Sequence, residues 1–496
     1  NSARVAAQKK APLRVIIGNP PYSVGQKSAN DNAQNQKYEK LDRRIAKTYA
    51  ALTDATNKNS LYDSYLKAFR WSTDRLDPIH GGIIAFVSNG AWLDGNSTDG
   101  FRKSLEREFS SIYVFNLRGN ARTQGELRRK EAGNVFGSGS RTPISITLLV
   151  KNPEKLNTKA TIHYHDIGDY LNREEKLSIV KKFASINNPD LPLKAITSNE
   201  HGDWISQRND VFGTFISIGD KKGDEVNKSF FVPFYGRGIA TTRDAWCYNS
   251  NRSILKKNIL SNIDFYNQQR IAFHIAENTN GLSQKDIIKK VKVFVSYDQQ
   301  NFSWSDNPIM DLARNKSFQF DTDSIVISQY RPFSKQLLYF SRDLNERVYQ
   351  MPKIFPNKTD NFVICVPGIG NTKNFSALIS NSIPDLGMNG ATQCFPRYYY
   401  EERHKQSPTL FDEVGDSEYI RRDGVSDFIL ERAKAMYGKT VTKEDIFYYV
   451  YGFLHSPEYR EKFTNDLKKM LPRLPLVDDV RDFWKFSKAG RELAEL

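Results

Sequence analysis

The residues with the clearest chemical potential are Asn19-Pro20-Pro21-Tyr22, which follow the apolar run Leu13-Arg14-Val15-Ile16-Ile17 and Gly18. An amino group on an aromatic ring, such as that of adenine, is a weak nucleophile because its lone pair is delocalised. The Asn19 side-chain oxygen and the Pro20 carbonyl can each accept a hydrogen bond from such a nitrogen. Two acceptors draw it toward tetrahedral geometry and free the lone pair to attack a methyl sulfonium. Pro20 and Pro21 lack an N–H and hold a fixed φ, so the turn can keep its carbonyls toward a ligand. Tyr22 offers a ring on which a flipped base can stack. Asn-Pro and Pro-Pro also mark ordinary turns. The quartet's place after a strand-like run favours the chemical reading, because ligands of open α/β sheets bind at the carboxyl ends of strands.

The elements that must hold the quartet are legible from periodicity. The β-branched runs predict strands over 13–17, 83–87, 112–117 and 143–150, and helical spacing predicts helices over 38–52, 59–76 and 101–109. Alternation of strands and helices predicts a mainly parallel sheet. The polar stretch from Ser23 to Thr56 contains the first helix and a loop placed to cover a substrate. A basic loop carries Arg118, Arg122, Arg128, Arg129 and Lys130. Asn187-Asn188-Pro189-Asp190-Leu191-Pro192 reads as a linker. From 196 to 400 the alternation stops, and short strands over 230–234, 291–295, 324–328 and 362–367 stand among Gly-, Asn- and Arg-rich loops. Helices are expected over 427–437, 443–455, 457–469 and 480–495. The chain thus reads as α/β in domain 1–190, mixed α+β in 191–410 and helical in 411–496.

Composition limits the possible partners. At 496 residues the chain exceeds one compact core. Its net charge of +15 favours a polyanion. Mean hydropathy is −0.59, and the sequence has no apolar run of membrane-spanning length. Cys247, Cys365 and Cys394 are widely spaced and odd in number, which fits a reducing cytoplasm and supplies neither a disulfide nor a zinc framework.

Other clusters are weaker. Arg237, between Gly236 and Gly238, and nearby Arg243 could meet guanine or phosphate, or could be solvated loop residues. Tyr330-Arg331-Pro332-Phe333 is a basic aromatic cluster or a structural hairpin, with the structural reading slightly favoured. His163 and His165 would share a strand face beside Asp166, yet no further ligand spacing supports a metal. Gly368-Ile369-Gly370-Asn371 is a weak candidate for cradling phosphate. No full Gly-x-x-x-x-Gly-Lys-Ser/Thr phosphate loop, helicase signature or nuclease carboxylate cluster is evident.

Beyond these readings, residues 15–150 resemble the second half of adenine-N6 DNA methyltransferase domains. Asn19-Pro20-Pro21-Tyr22 matches the catalytic motif, and Gly82 to Ser88 followed by Phe101 to Leu105 matches the next strand–helix unit. Phe136-Gly137 looks like the later hairpin region, so the resemblance implies that Phe136 is a second base-stacking aromatic. Arg237 to Trp246, Tyr330 to Phe333, Leu344 to Val348, Leu454 to Arg460 and Phe483-Trp484 resemble type ISP restriction–modification enzymes. Members of that family join nuclease, helicase-like ATPase, methyltransferase and target-recognition parts in one polypeptide. The resemblance implies the C-terminal half of a Rossmann-like methyltransferase sheet followed by a target-recognition domain. It also implies double-stranded DNA as partner, S-adenosylmethionine as methyl donor and a prokaryotic cytoplasm. Arg122, Arg128, Arg237, Arg243 and Arg331 become candidate DNA contacts.

The family's Gly-rich cofactor loop and its acidic ribose partner precede the Asn-Pro-Pro-Tyr strand. None of the residues before Asn19 forms that loop, so the main cofactor site is expected upstream of, or outside, this chain. The chain alone is therefore not expected to methylate DNA. Two other readings remain open at this level: a non-catalytic DNA specificity module, favoured by the missing loop, and a protein glutamine-amide methyltransferase, whose planar nitrogen suits the same quartet.

Overall fold

The computed structural model describes residues 2–22, 36–55, 57–137, 140–155, 159–221, 227–357, 359–371, 374–403 and 418–496. The loop expected over a substrate lies largely at 23–35, outside the described residues. The chain divides into two compact units, Asn1–Asn209 and Asp210–Leu496.

The first unit contains α1 (Ser2–Lys10), β1 (Val15–Gly18), α2 (Glu39–Lys47), α3 (Ser64–Arg75), β2 (Gly82–Asn89) and α4 (Asp99–Glu108). It continues with β3 (Ser111–Arg118), α5 (Gly125–Glu131), β4 (Ile144–Lys151), β5 (Thr161–Asp166), α6 (Arg173–Phe183) and β6 (Lys194–Ile196). The strands form one sheet in the order β1-β2-β4-β3-β5-β6. The sheet is mixed rather than mainly parallel. β1 is parallel to β2 and β3 to β5, but β4 runs antiparallel between β2 and β3, and β6 is antiparallel to β5. The run before Val150 does form a strand, but local pattern carries no information on strand direction. Because β6 lies beyond the predicted linker and extends the same sheet, the compact unit reaches Asn209 rather than ending near residue 190.

Register sorts the side chains of this sheet into rows on one face. Ile16, Ile84, Leu149, Ile112 and Ile162 form an apolar row, which packs with Phe69, Phe101, Trp92 and Leu105 into a core. Toward the carboxyl ends of β1, β2 and β3 the row becomes Ser88, Ser145, Asn116 and Asp166. This face therefore changes from apolar to polar along the strands, as expected where a buried sheet opens onto a polar site.

The second unit begins with α7 (Asp210–Thr214), β7 (Ile216–Ser217), β8 (Gly236–Arg237), α8 (Asp244–Cys247), β9 (Tyr248–Asn249), α9 (Arg252–Ala276), α10 (Gln284–Phe294) and α11 (Asp306–Ala313). β10 (Ile325–Arg331), β11 (Ser334–Tyr339), α12 (Met351–Ile354), β12 (Val363–Val366), β13 (Leu378–Ser380), β14 (Ile383–Pro384) and β15 (Gln393–Pro396) follow. Then come β16 (Tyr398–Glu402), β17 (Tyr419–Asp423), α13 (Asp427–Tyr437), α14 (Lys443–Phe453), α15 (Pro457–Lys462), α16 (Thr464–Lys469), β18 (Arg473–Leu474) and α17 (Val480–Glu495). Two small sheets, β14-β10-β11-β9 and β13-β12-β15-β8, carry its loops.

Two expected strands are absent here. Residues 291–295 mostly belong to helix α10, and 230–234 make only the isolated bridge Phe231–Val425. The C-terminal helices share one core with Phe230, Phe231 and Phe395, so they are integral to this unit.

Candidate functional site

The quartet occupies the carboxyl end of β1. Asn19 and Pro21 are exposed, Pro20 is buried and Tyr22 is half-buried. Tyr22 packs against apolar clusters on both sides of the sheet. Its ring meets Tyr65 edge-on at 6.4 Å. Burial raises the Tyr22 hydroxyl above its ordinary pKa. The ring is thus fixed by packing while the amide of Asn19 faces solvent.

Because β2 and β3 run in the same direction as β1, their carboxyl ends lie at the same end of the sheet. There Asn89 Oδ1 accepts a 2.9 Å bond from the Ala91 N–H and caps a short 3₁₀ turn. At the end of β3 the Arg118 guanidinium donates to Asp166 at 2.7 Å and also to Asp169.

Phe136 is 47 % exposed on the loop before β4. That loop is held from below. Asn134 Nδ2 donates to Thr142 O at 2.8 Å and Gly119 O at 3.2 Å, and Asn134 Oδ1 accepts from the Phe136 N–H at 3.0 Å. From α6, Arg173 Nε donates to Val135 O at 3.1 Å. The fully buried Lys176 donates to Glu131 O and Gly133 O at 2.8 and 2.7 Å. Burial lowers the Lys176 ammonium to a pKa of about 8. Asn134 and Lys176 were not singled out from the sequence. A lone lysine in an amphipathic helix carries no signal of burial.

The candidate arginines separate clearly. Arg122 is exposed. Arg128 is exposed but donates to Ala132 O at 2.7 Å, at the end of α5. Arg237 is exposed on β8, opposite Gln393. Arg243 is buried, which corrects its expected role as a DNA contact. Its guanidinium donates to Ser303 O at 2.8 Å, Leu344 O at 3.1 Å and Thr241 O at 3.2 Å, and so ties three loops together. Arg331 is partly exposed, lies 3.7 Å over the Tyr330 ring and donates to Asp385 at 2.8 Å.

The remaining clusters have structural partners. His163 stacks on Tyr113 with ring centres 4.6 Å apart, and His165 meets Phe115 edge-on at 4.7 Å. Among the described residues no group of three or more His, Cys, Asp or Glu is arranged to hold a metal. The N–H groups of Gly368 and Gly370 donate to Gly390 O and Lys468 O, so they are not free to cradle a phosphate. No helix among the described residues is long and apolar enough to cross a membrane.

This arrangement, a mixed sheet ending in the Asn-Pro-Pro-Tyr turn with Asn19 exposed, and a second, loop-rich unit, can be set beside known proteins. Residues 230–496 match the family described as the Type ISP C-terminal specificity domain. The chain resembles a nuclease-deletion mutant of the Type ISP restriction-modification enzyme LlaGI in complex with a DNA substrate mimic, with TM-score 0.82 and 37% identity, over 100% of this chain and 36% of that one. It resembles LlaBIII, an ATP-dependent Type ISP restriction-modification enzyme bound to DNA, with TM-score 0.82 and 33% identity, over 100% of this chain and 30% of that one. The DrdV–DNA complex matches with TM-score 0.81 and 33% identity, over 100% and 45%. No curated protein sequence matches the chain. The fold and these likenesses define the class as the specificity region of a restriction–modification enzyme. The chain belongs to the Type ISP family and carries its C-terminal specificity domain. It spans less than half the length of each of these three structures.

Proposed function

We propose that this chain is the part of a type ISP restriction–modification enzyme that reads a duplex DNA site and presents a flipped adenine for N6-methylation. The observation that carries the reading is the exposed Asn19 beside the packed Tyr22, at the carboxyl end of β1. The inverted β4 between β2 and β3 supports it, since an antiparallel strand at that place suits the C-terminal half of a methyltransferase sheet.

In this reading Asn19 Oδ1 and the Pro20 carbonyl accept the two amino hydrogens of the flipped adenine. Tyr22 and Phe136 bracket the base. Held this way, the amino nitrogen would have its lone pair free for a methyl donor held by upstream chain. No bond to the protein forms. S-adenosylmethionine supplies the methyl group as an electrophilic sulfonium.

Among the described residues no strand pairs with the outer edge of β1. β1 is the sheet's outermost strand, and Val15 and Ile17 stand 59% and 78% exposed. Isolated exposed apolar residues are ordinary, but two on one face of an unpaired edge strand suit an edge that upstream chain continues. The reading therefore includes upstream cofactor-binding, helicase-like ATPase and nuclease segments in the same polypeptide, and a prokaryotic cytoplasm as its place of action.

The test uses the longest native polypeptide that contains this chain. Labelled S-adenosylmethionine and mixed-sequence duplex DNA should yield N6-methyladenine. Label on protein glutamine instead would favour amide methylation. Site-specific binding without methyl transfer by a cofactor-binding polypeptide would favour a specificity module alone.

A further inference from the structure

Phe333 sits at the turn between β10 and β11 and is 97% exposed, more than any other aromatic side chain among the described residues. Its support is rigid. Arg331 and Ser334 pair directly across the turn, and the ladder bulges between Gln329 and Arg331. The Gln329 amide donates to Arg331 O at 2.8 Å and to Pro332 O at 3.1 Å. Pro332 fixes the backbone before the ring. Below the turn, Arg331 is stacked on Tyr330 and bonded to the buried Asp385, which also accepts from Tyr248 at 3.2 Å. Tyr248 packs on Tyr330 with ring centres 4.5 Å apart. The motif is thus divided by the structure: Tyr330 and Arg331 build a platform, and Phe333 projects from it into water.

Charge around the tip selects the kind of partner. Lys335 beside the turn donates to the amide oxygen of Asn381 at 3.1 Å and has no carboxylate partner among the described residues. β14 links the hairpin laterally to the Arg237 loop, through Asp385 N–H to Gln329 O and Ile239 N–H to Pro384 O. Arg237 is exposed and pairs with no carboxylate among the described residues. A rigid aromatic ring with a lysine beside it that pairs with no carboxylate among the described residues matches the way apolar wedges enter a base stack while basic residues hold the phosphates.

We propose that Phe333 inserts into the base stack of the bound duplex, with Lys335 contacting the adjacent phosphates. The inference rests on the reading of this chain as DNA-reading and adds a residue and a mode of DNA distortion to it. Insertion unstacks one base step, so sequences that unstack easily at that position are favoured without direct contact to base edges.

The experiment uses the longest native polypeptide and a duplex carrying its mapped site, with 2-aminopurine placed in turn at each position across and beside that site. Phe333→Ala, Phe333→Trp and Lys335→Ala are compared with wild type, after thermal unfolding without DNA shows that all fold alike. Apart from the flipped target adenine, where 2-aminopurine should brighten in wild type and all three variants, wild type should brighten it at one further step. Phe333→Ala should abolish that signal and weaken site binding at least about ten-fold, and Phe333→Trp should restore both. Lys335→Ala should weaken binding and lower its salt dependence while leaving the bright step in place. Unchanged affinity and an unchanged fluorescence profile for Phe333→Ala would overturn the proposal, as would lost affinity with the bright step retained. A wild type that binds no specific site would instead overturn the DNA-reading role itself.

Discussion

The amide of Asn19 faces solvent, whereas the guanidinium of Arg243 is fully engaged inside the protein. Asn19 stands in the Asn-Pro-Pro-Tyr quartet and Arg243 in the Arg237 to Trp246 segment, and burial separates them: one is open to a ligand, the other is used up inside the fold. Truncating Arg243 leaves the Ser303 and Leu344 carbonyls without their donor, so Arg243→Ala should cost about 2–4 kcal/mol of stability in denaturant titrations. Arg237, exposed on β8, should behave in the opposite way. Arg237→Ala should leave stability within about 0.5 kcal/mol of wild type. If Arg237 reads a base, binding should fall by about 1–3 kcal/mol with relaxed preference at one position. An equal loss on every sequence, with a salt slope smaller by about one, would make it a phosphate contact.

At the scale of elements, α6 carries the loop of Phe136. Lys176 has an ordinary pKa of 10.5 and one of about 8 in the fold, because burial penalises its charge. Between these values the unfolded chain binds more protons than the folded chain, so this group favours folding increasingly as pH rises from about 8 to 10.5. Compared with Lys176→Met, wild type should gain relative stability across that window, and the difference should be flat below it. Helices α14 and α17 cross at Gly452 and Gly490. A Cβ on Gly490 would stand 2.0 Å from Tyr448 O, so Gly490→Ala should destabilise the second unit by about 1–3 kcal/mol.

The same elements show what local pattern can reveal. The spans of α13 and α17 were predictable because α13 follows the cap Ser426, α17 follows the cap Asp479, and both carry apolar residues at helical spacing. The Val291-Lys292-Val293-Phe294-Val295 stretch alternates like a strand, yet it closes α10, where Val291 and Val295 face the core and Val293 faces water. The long α9 was missed because its apolar residues are scattered among Asn, Lys and Gln around much of the helix. Of the candidate residues, the quartet is legible as a motif and Phe136 only through the resemblance. The supports at Asn134 and Lys176, the interior place of Arg243 and the projection of Phe333 depend on long-range packing.

For the whole molecule, a net charge of +15 goes with likeness to Type ISP enzymes solved with DNA, and the proposed reading makes duplex DNA the partner. Its first unit is a six-stranded sheet whose outer strand carries both the Asn-Pro-Pro-Tyr turn and an apolar edge, and its second unit supplies the specificity domain. The account joins the two by one claim: Asn19 activates an adenine that the second unit has selected. The most direct test compares methyl transfer and site binding by wild type and Asn19→Ala in the longest native polypeptide. Asn19→Ala should lose about a hundred-fold or more in N6-methyladenine formation while binding the same DNA site with unchanged affinity. Undiminished methylation by Asn19→Ala, or no methylation by a folded wild type that binds both S-adenosylmethionine and DNA, would contradict the account.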